Sequence, residues 1–199
     1  MIFAPSFCYF MKQKAIFIDR DGTLIEEVNF LHRVEDLQYF SYTDEAVKLL
    51  KLNGFLTIIV TNQSGIGRGI YTEKDMHAVH EQIQKDLTFK LDAFYFCPHL
   101  PDAGCMCRKP NLGMIEAAMQ DFEIDLENSW MIGDKILDAQ TGFNAKIKTA
   151  LVLTGYGSKA VEKLEQKPDL IANNLLEAVK LITNFKLRIT NYELSIINS

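Results

Sequence analysis

The chain has no apolar run approaching the roughly 18 residues that a membrane helix requires, so no helical span is expected. It has no Lys/Arg stripe either. Its 26 acidic and 21 basic side chains leave a net charge of -5, which argues against a general nucleic-acid binder. The first ten residues, MIFAPSFCYF, are apolar, but no basic segment precedes them and no small-residue cleavage site follows. A secretory signal is therefore not expected. There is no P-loop, no internal repeat and no flexible linker. Cysteine is scarce: Cys8, Cys97, Cys105 and Cys107 are all there are. Three of them cluster around a histidine. That grouping suits metal ligation in a reducing compartment better than a disulfide framework, and the cytoplasm is the expected location.

What is present is enough to build a core. The 199 residues are 48% hydrophobic and 24% charged, as in one soluble globular domain. That domain is expected to span 12–183, with 1–11 and 184–199 as terminal extensions of unclear structure. Met11 is a candidate natural start, because the first strand begins almost at once after it. Short apolar runs at 15–18, 55–60, 93–96, 129–132 and 149–153 read as buried strands. Between and after them lie helical patterns at 43–52, 72–89, 113–122, 137–144, 158–166 and 174–183. In the first of these, Ala46, Val47, Leu49 and Leu50 share a face and Gly54 follows the end. The second opens with Thr72 and carries Asp75 three residues on, a capping-box variant. Alternating strands and helices imply an α/β fold: a Rossmann-like parallel sheet with helices on both faces.

Each strong polar motif sits just after a strand. Asp19 and Asp21 follow the first, Thr61-Asn62-Gln63-Ser64 the second, Cys97-Pro98-His99 the third and Gly133-Asp134-Lys135 the fourth. Ligands of open α/β sheets bind outside the carboxyl ends of the strands. Helix capping would explain any one of these motifs and explains the set poorly. A carboxylate can attack phosphorus and form an aspartyl-phosphate. A second acid can protonate the leaving oxygen and then activate water. Two anions facing a phosphate need a cation, and Asp19 and Asp134 could hold Mg²⁺. Thr61 and the turn after it could bind phosphate oxygens. Arg108 and Lys109 add positive charge, one as a fork and one as a point.

Taken together, these motifs resemble the haloacid dehalogenase superfamily of phosphohydrolases, over roughly residues 14 to 155. Asp19–Thr23 is similar to its first motif, Thr61-Asn62 to its second, Lys109 to its third and 133–138 to its fourth. The resemblance implies that Asp19 is the nucleophile and Asp21 the general acid/base. It implies Mg²⁺ at Asp19, Asp134 and the backbone carbonyl of Asp21, with Thr61 and Lys109 stabilising the phosphoryl group. Asp138 is expected to support from behind or to serve as a helix position, and carries less weight.

Cys97, His99, Cys105 and Cys107 form a closed set of four ligands, the pattern of a structural Zn²⁺. With no open position, this metal is expected to pin the loop carrying Arg108 and Lys109. The combination resembles two related branches, the heptose 1,7-bisphosphate phosphatases and the histidinol-phosphate phosphatases. The 61–69 segment looks like the heptose branch, since the histidinol branch usually has an acid where Ser64 stands and lacks Arg68. The five-residue gap between His99 and Cys105 is common to the histidinol enzymes and some heptose ones. The expected activity is Mg²⁺-dependent removal of the 7-phosphate of a heptose 1,7-bisphosphate by a monomer, with histidinol phosphate as the alternative substrate. A non-catalytic zinc-loop module is disfavoured by the intact acid, Thr and Lys set.

No segment has room for a large cap domain. Specificity is expected from the 26–30 loop, the 64–68 loop and the zinc loop. By resemblance, Glu27, Val28, Asn29, Phe30, Asn62, Gln63, Ser64, Arg108 and Lys135 touch a small sugar bisphosphate. Arg68 is a further candidate for its distal phosphate. His77 and His80 read as solvated helix positions, and Trp130 and the strand-three aromatics as core.

Overall fold

Strand β1 (Ala15–Ile18) is buried at all positions, as a run apolar on both faces must be when helices cover both sides of a parallel sheet. The structure is a computed structural model that describes residues 12–183. The two terminal extensions, with Cys8 and Met11, lie outside the described residues. After β1 come α1 (Thr43–Leu52), β2 (Leu56–Asn62), a short α2 (Ser64–Gly67), α3 (Glu73–Asp86) and β3 (Ala93–Cys97). Then follow α4 (Gly113–Asp121), β4 (Trp130–Gly133), α5 (Ile136–Asn144), β5 (Lys148–Val152), α6 (Gly157–Val161) and β6 (Leu170–Ala172). A last helix, α7, occupies 175–183. No helix among the described residues is long and apolar enough to cross a membrane.

All the strands are parallel, in the order β3-β2-β1-β4-β5-β6. Alternation along β1 divides the core. Ile16 and Ile18 face a layer holding Leu50 of α1, Val79 and Ile83 of α3, and Leu175 and Val179 of α7. Ala15 and Phe17 face a second layer with Met114, Ile115 and Ala118 of α4. No separate cap layer stands between these elements among the described residues.

Several expectations need correction. A sixth strand was not foreseen: β6 is three residues long, follows Pro168 and buries only Ala172 fully. Helix α6 stops at Val161 and not at 166, because 162–168 offers Leu164 as its lone apolar side chain and so no face to bury. Helix α3 ends at Asp86 and not at 89, where Lys90 Nζ donates to the carbonyls of Gln84 and Leu87 and caps the terminus. Its start is as expected, with the Thr72/Asp75 capping box formed. Phe94, Tyr95 and Phe96 are half-buried because β3 is an edge strand, whereas Trp130 is core.

Candidate active site and metal centre

The strand order reverses between β1 and β4, and side chains at their carboxyl ends converge there. The Asp19 N–H donates to the Ile132 carbonyl at 2.9 Å, so Asp19 lies beside the end of β4, just before Asp134. Thr61 and Asn62 arrive at the end of β2. Lys109 reaches in from the loop after β3, and Asn62 holds that loop by accepting from the Lys109 N–H at 3.0 Å and donating to its carbonyl at 3.3 Å.

Asp19 is gripped by two ammonium groups. Lys109 Nζ donates to Oδ1 at 2.8 Å and Lys135 Nζ to Oδ2 at 3.0 Å. Burial alone would push this carboxyl up, but the two lysines outweigh it and hold it well below the usual carboxylate range. The two lysines thus favour the anionic form of Asp19, the form a carboxylate nucleophile would need. Lys109 is itself buried and spends its other protons on Asp138 Oδ1 at 2.6 Å and the Val60 carbonyl at 2.8 Å. Despite burial, its two carboxylate partners push its pKa up. Asp138, given little weight from the sequence, is thus the counter-charge that fixes Lys109. Its other oxygen accepts from the Lys135 N–H at 2.9 Å.

The same geometry tests the fit to Mg²⁺. Lys135 Nζ sits 3.0 Å from Asp19 Oδ2, 2.7 Å from the Asp21 carbonyl and 3.1 Å from Asp134 Oδ1. Those are the three oxygens expected to ligate the ion, so a cation already stands in that cradle. Hard oxygens from two carboxylates and a carbonyl suit Mg²⁺, which keeps waters in its remaining positions. Asp138 also lies near Asp19 and Asp134, but both of its oxygens are committed to Lys109 and the Lys135 N–H. Asp134 is fully buried, and desolvation, helped by Asp19 and Asp138, raises its carboxyl to about 7. Gly22 shapes the cradle: its φ is +88°, and a Cβ there would run into the Asp134 carboxylate.

Asp21 is held from its own flank. Arg20 Nε lies 3.1–3.2 Å from both carboxylate oxygens and Nη2 donates at 3.0 Å, while Gln63 Nε2 donates at 2.9 Å. Two cavities adjoin here and share Asp21, Asn62 and Lys135. One, about 140 Å³, is lined by Asp19, Thr61, Arg108, Lys109 and Asp138 among others. The other, about 130 Å³, is lined by Glu27, Val28, Asn29, Phe30, Gln63, Ser64 and Tyr71 among others. Every residue expected by resemblance to touch the substrate thus borders one cavity or both. Arg68 does not: it is exposed just past α2 and lines neither. Phe30 has φ +53°, uncommon for a bulky side chain, and His32 Nδ1 lies 2.7 Å from its carbonyl. Glu27 Oε2 lies 3.3 Å from Lys135 Nζ. Burial raises its pKa.

Beyond β3, the four zinc-type donors lie within 4.8 Å of one another. Adjacent donors are close: Cys97–Cys105 3.5 Å, Cys105–Cys107 3.6 Å, Cys97–His99 3.6 Å and His99 Nδ1–Cys107 3.2 Å. A tetrahedron of sulfur and nitrogen ligands around zinc has edges of about 3.5–3.8 Å, so this set fits Zn²⁺. Arg108 Nη1 donates to the His99 carbonyl at 3.2 Å, which ties the cationic loop to the centre.

Residues 106–178 match the model of the HAD-hydrolase-like family. A D-glycero-beta-D-manno-heptose-1,7-bisphosphate 7-phosphatase of Haemophilus ducreyi is 37% identical over 182 residues, 86% of this chain and 100% of that protein. The D-glycero-D-manno-heptose-1,7-bisphosphate 7-phosphatase of Thermosynechococcus vestitus is 40% identical over 86% of this chain and 96% of its own length. The chain belongs to the heptose-1,7-bisphosphate 7-phosphatase family of HAD-like hydrolases. Among solved structures, the D,D-heptose 1,7-bisphosphate phosphatase of B. bronchiseptica superposes with a TM-score of 0.80 at 26% identity, covering 86% of this chain and 98% of its own. That structure carries magnesium and phosphate.

Within this member of the family, sequence reading missed the environment of His80. It is 4% exposed, stacks on Phe94 with ring centroids 4.4 Å apart, and lies 3.1 Å from Arg20 Nη1. His77 is exposed as expected. The signal was available in part, since His80 shares the helical face of Met76, Val79 and Ile83.

The four-ligand Cys/His centre yields one expected outcome. Cys105→Ser should lower bound zinc, read by elemental analysis, from one equivalent towards none. Losing a ligand should also destabilise the chain by about 3 kcal/mol or more, a Tm fall of about 6–12 °C. Full stability without zinc would remove the metal's structural role.

Proposed function

We propose that the chain hydrolyses the 7-phosphate of D-glycero-D-manno-heptose 1,7-bisphosphate through an aspartyl-phosphate on Asp19, with residues 12–183 acting as one catalytic domain. The observation that carries this reading is the Asp19 carboxylate, kept ionised between Lys109 and Lys135 with Asp21 two residues away, in a member of a family named for this substrate. Asp19 attacks phosphorus and the bond to the sugar oxygen breaks. Asp21 gives that oxygen its proton. Water then attacks the aspartyl-phosphate, Asp21 takes the proton back, and Asp19 is regenerated with release of phosphate. Thr61 and Lys109 hold phosphoryl oxygens while the bonds change. Asp19, Asp134 and the Asp21 carbonyl would hold Mg²⁺, which supplies charge neutralisation when bound. Zn²⁺ at the four Cys/His ligands would fix the Arg108–Lys109 loop. We further propose a monomer in a reducing cytoplasmic compartment, in line with the cysteine usage.

Phosphate release from heptose 1,7-bisphosphate and from histidinol phosphate, each with Mg²⁺ and with EDTA, tests the proposed substrate. The bisphosphate is expected to win in kcat/KM, and EDTA to silence both. A preference for histidinol phosphate would overturn the substrate assignment.

A further inference from the structure

Among the described residues Arg20 is the largest fully buried side chain, 1% exposed. A buried guanidinium needs partners on every edge. Its Nε and Nη2 are spent on Asp21, and Nη2 also donates to Gln63 Oε1 at 3.1 Å. The remaining edge, Nη1, points at His80 Nε2, 3.1 Å away and from a different layer of the fold. Arg has only donors, so His80 Nε2 must accept. The imidazole is therefore neutral with its proton on Nδ1. Burial, and then the charge of Arg20, agree with this and drive its pKa down to about 2. Gln63 is oriented in turn by Tyr71, whose hydroxyl donates to Gln63 Oε1 at 2.6 Å.

We propose that His80 is a positioning residue for the reaction: it holds the Arg20 guanidinium, and through it the Asp21 carboxylate, at the angle proton transfer requires. Four elements meet in this chain. Helix α3 supplies His80, the turn after β1 supplies Arg20 and Asp21, β2 leads into Gln63, and the segment before α3 supplies Tyr71. Proton transfer depends on sub-ångström placement. Gln63 also restrains the pair, donating to Asp21 and accepting from Arg20 Nη2, but it leaves the Nη1 edge free to swing. His80 removes that freedom, because a stacked, buried imidazole cannot follow a swinging guanidinium. The inference rests on the acid–base role proposed for Asp21.

His80→Phe keeps a ring against Phe94 but offers Arg20 no acceptor, whereas His80→Gln offers one. The His80→Phe enzyme is expected to lose about 10- to 100-fold in kcat, part of what a general acid supplies, with KM within about twofold. His80→Gln should restore kcat to within about fivefold of wild type, since an amide oxygen can accept from Arg20. In an Asp21→Asn background, His80→Phe should cost less than about twofold, because residues acting as a unit are not additive. Circular dichroism and Tm on each variant correct for the folded fraction. The inference falls if corrected kcat is unchanged in His80→Phe, if Gln rescues no better than Phe, or if the full loss persists without Asp21. Wild-type activity in Asp21→Asn alone is a different failure: it overturns the acid–base assignment itself.

Discussion

Asp19→Asn is expected to fold and to turn over no substrate, a loss on the order of 10⁴-fold or more in kcat. The amide is isosteric but has no anionic oxygen to attack phosphorus. Structure should survive, because Lys109 keeps Asp138 at 2.6 Å and Lys135 keeps Asp134 at 3.1 Å and Glu27 at 3.3 Å. Neither cation is stranded. Tm should therefore move little, while mass spectrometry of quenched enzyme should show a phosphoryl adduct on wild type and none on the variant. Activity within tenfold of wild type would rule out the covalent route.

Asp138→Ala is expected to damage both stability and catalysis. Asp138 is 1% exposed, and its oxygens hold the Lys109 ammonium and the Lys135 N–H. Removing one member of a buried charge pair typically costs about 3–5 kcal/mol. For a chain of this size that is a Tm fall of roughly 6–20 °C. The upper part of the range is less expected, because Lys109 retains Asp19 and because burial and Asp19 already push the Asp138 carboxyl up. The kinetic effect should fall on kcat, since a Lys109 freed on one side collapses onto Asp19 and masks the nucleophile. Asp138→Asn preserves the shape and an acceptor, so it should recover much of the stability. A Tm within 2 °C of wild type for Asp138→Ala would contradict this role.

The strand ends that gather the candidate site were legible because two signals coincide there. An apolar run stops, and polar groups that no helix cap requires follow at once. Asp19, Asp21, Thr61 and Asp134 all announce themselves this way, and parallel strands of known order bring them together. Asp138 and His80 do not. Asp138 acts on Lys109 from 29 residues away, on a helix where an acid at that position reads as a capping group, which it also is. Whether His80 meets water or Arg20 depends on how α3 lies against the sheet, and local spacing does not encode that. The sixth strand escaped for a simpler reason: three residues with one fully buried carry almost no periodic signal. Arg68, the further candidate for a distal phosphate, is exposed just past α2 and lines neither described cavity.

The loop between the four Cys/His ligands has a length that packing does not fix. Its ligands come as two close pairs, and residues 101–104 between them are all exposed. That span carries no catalytic group, and only an Ala103-to-Leu100 turn organises it. Lengthening such a bridge is cheap: doubling it adds only about 0.6 kcal/mol of closure entropy. Insertions and deletions there can therefore drift without touching Lys109, whose position is set by Asn62 and Asp138. A change in the number of residues between the pairs is therefore expected to cost little stability.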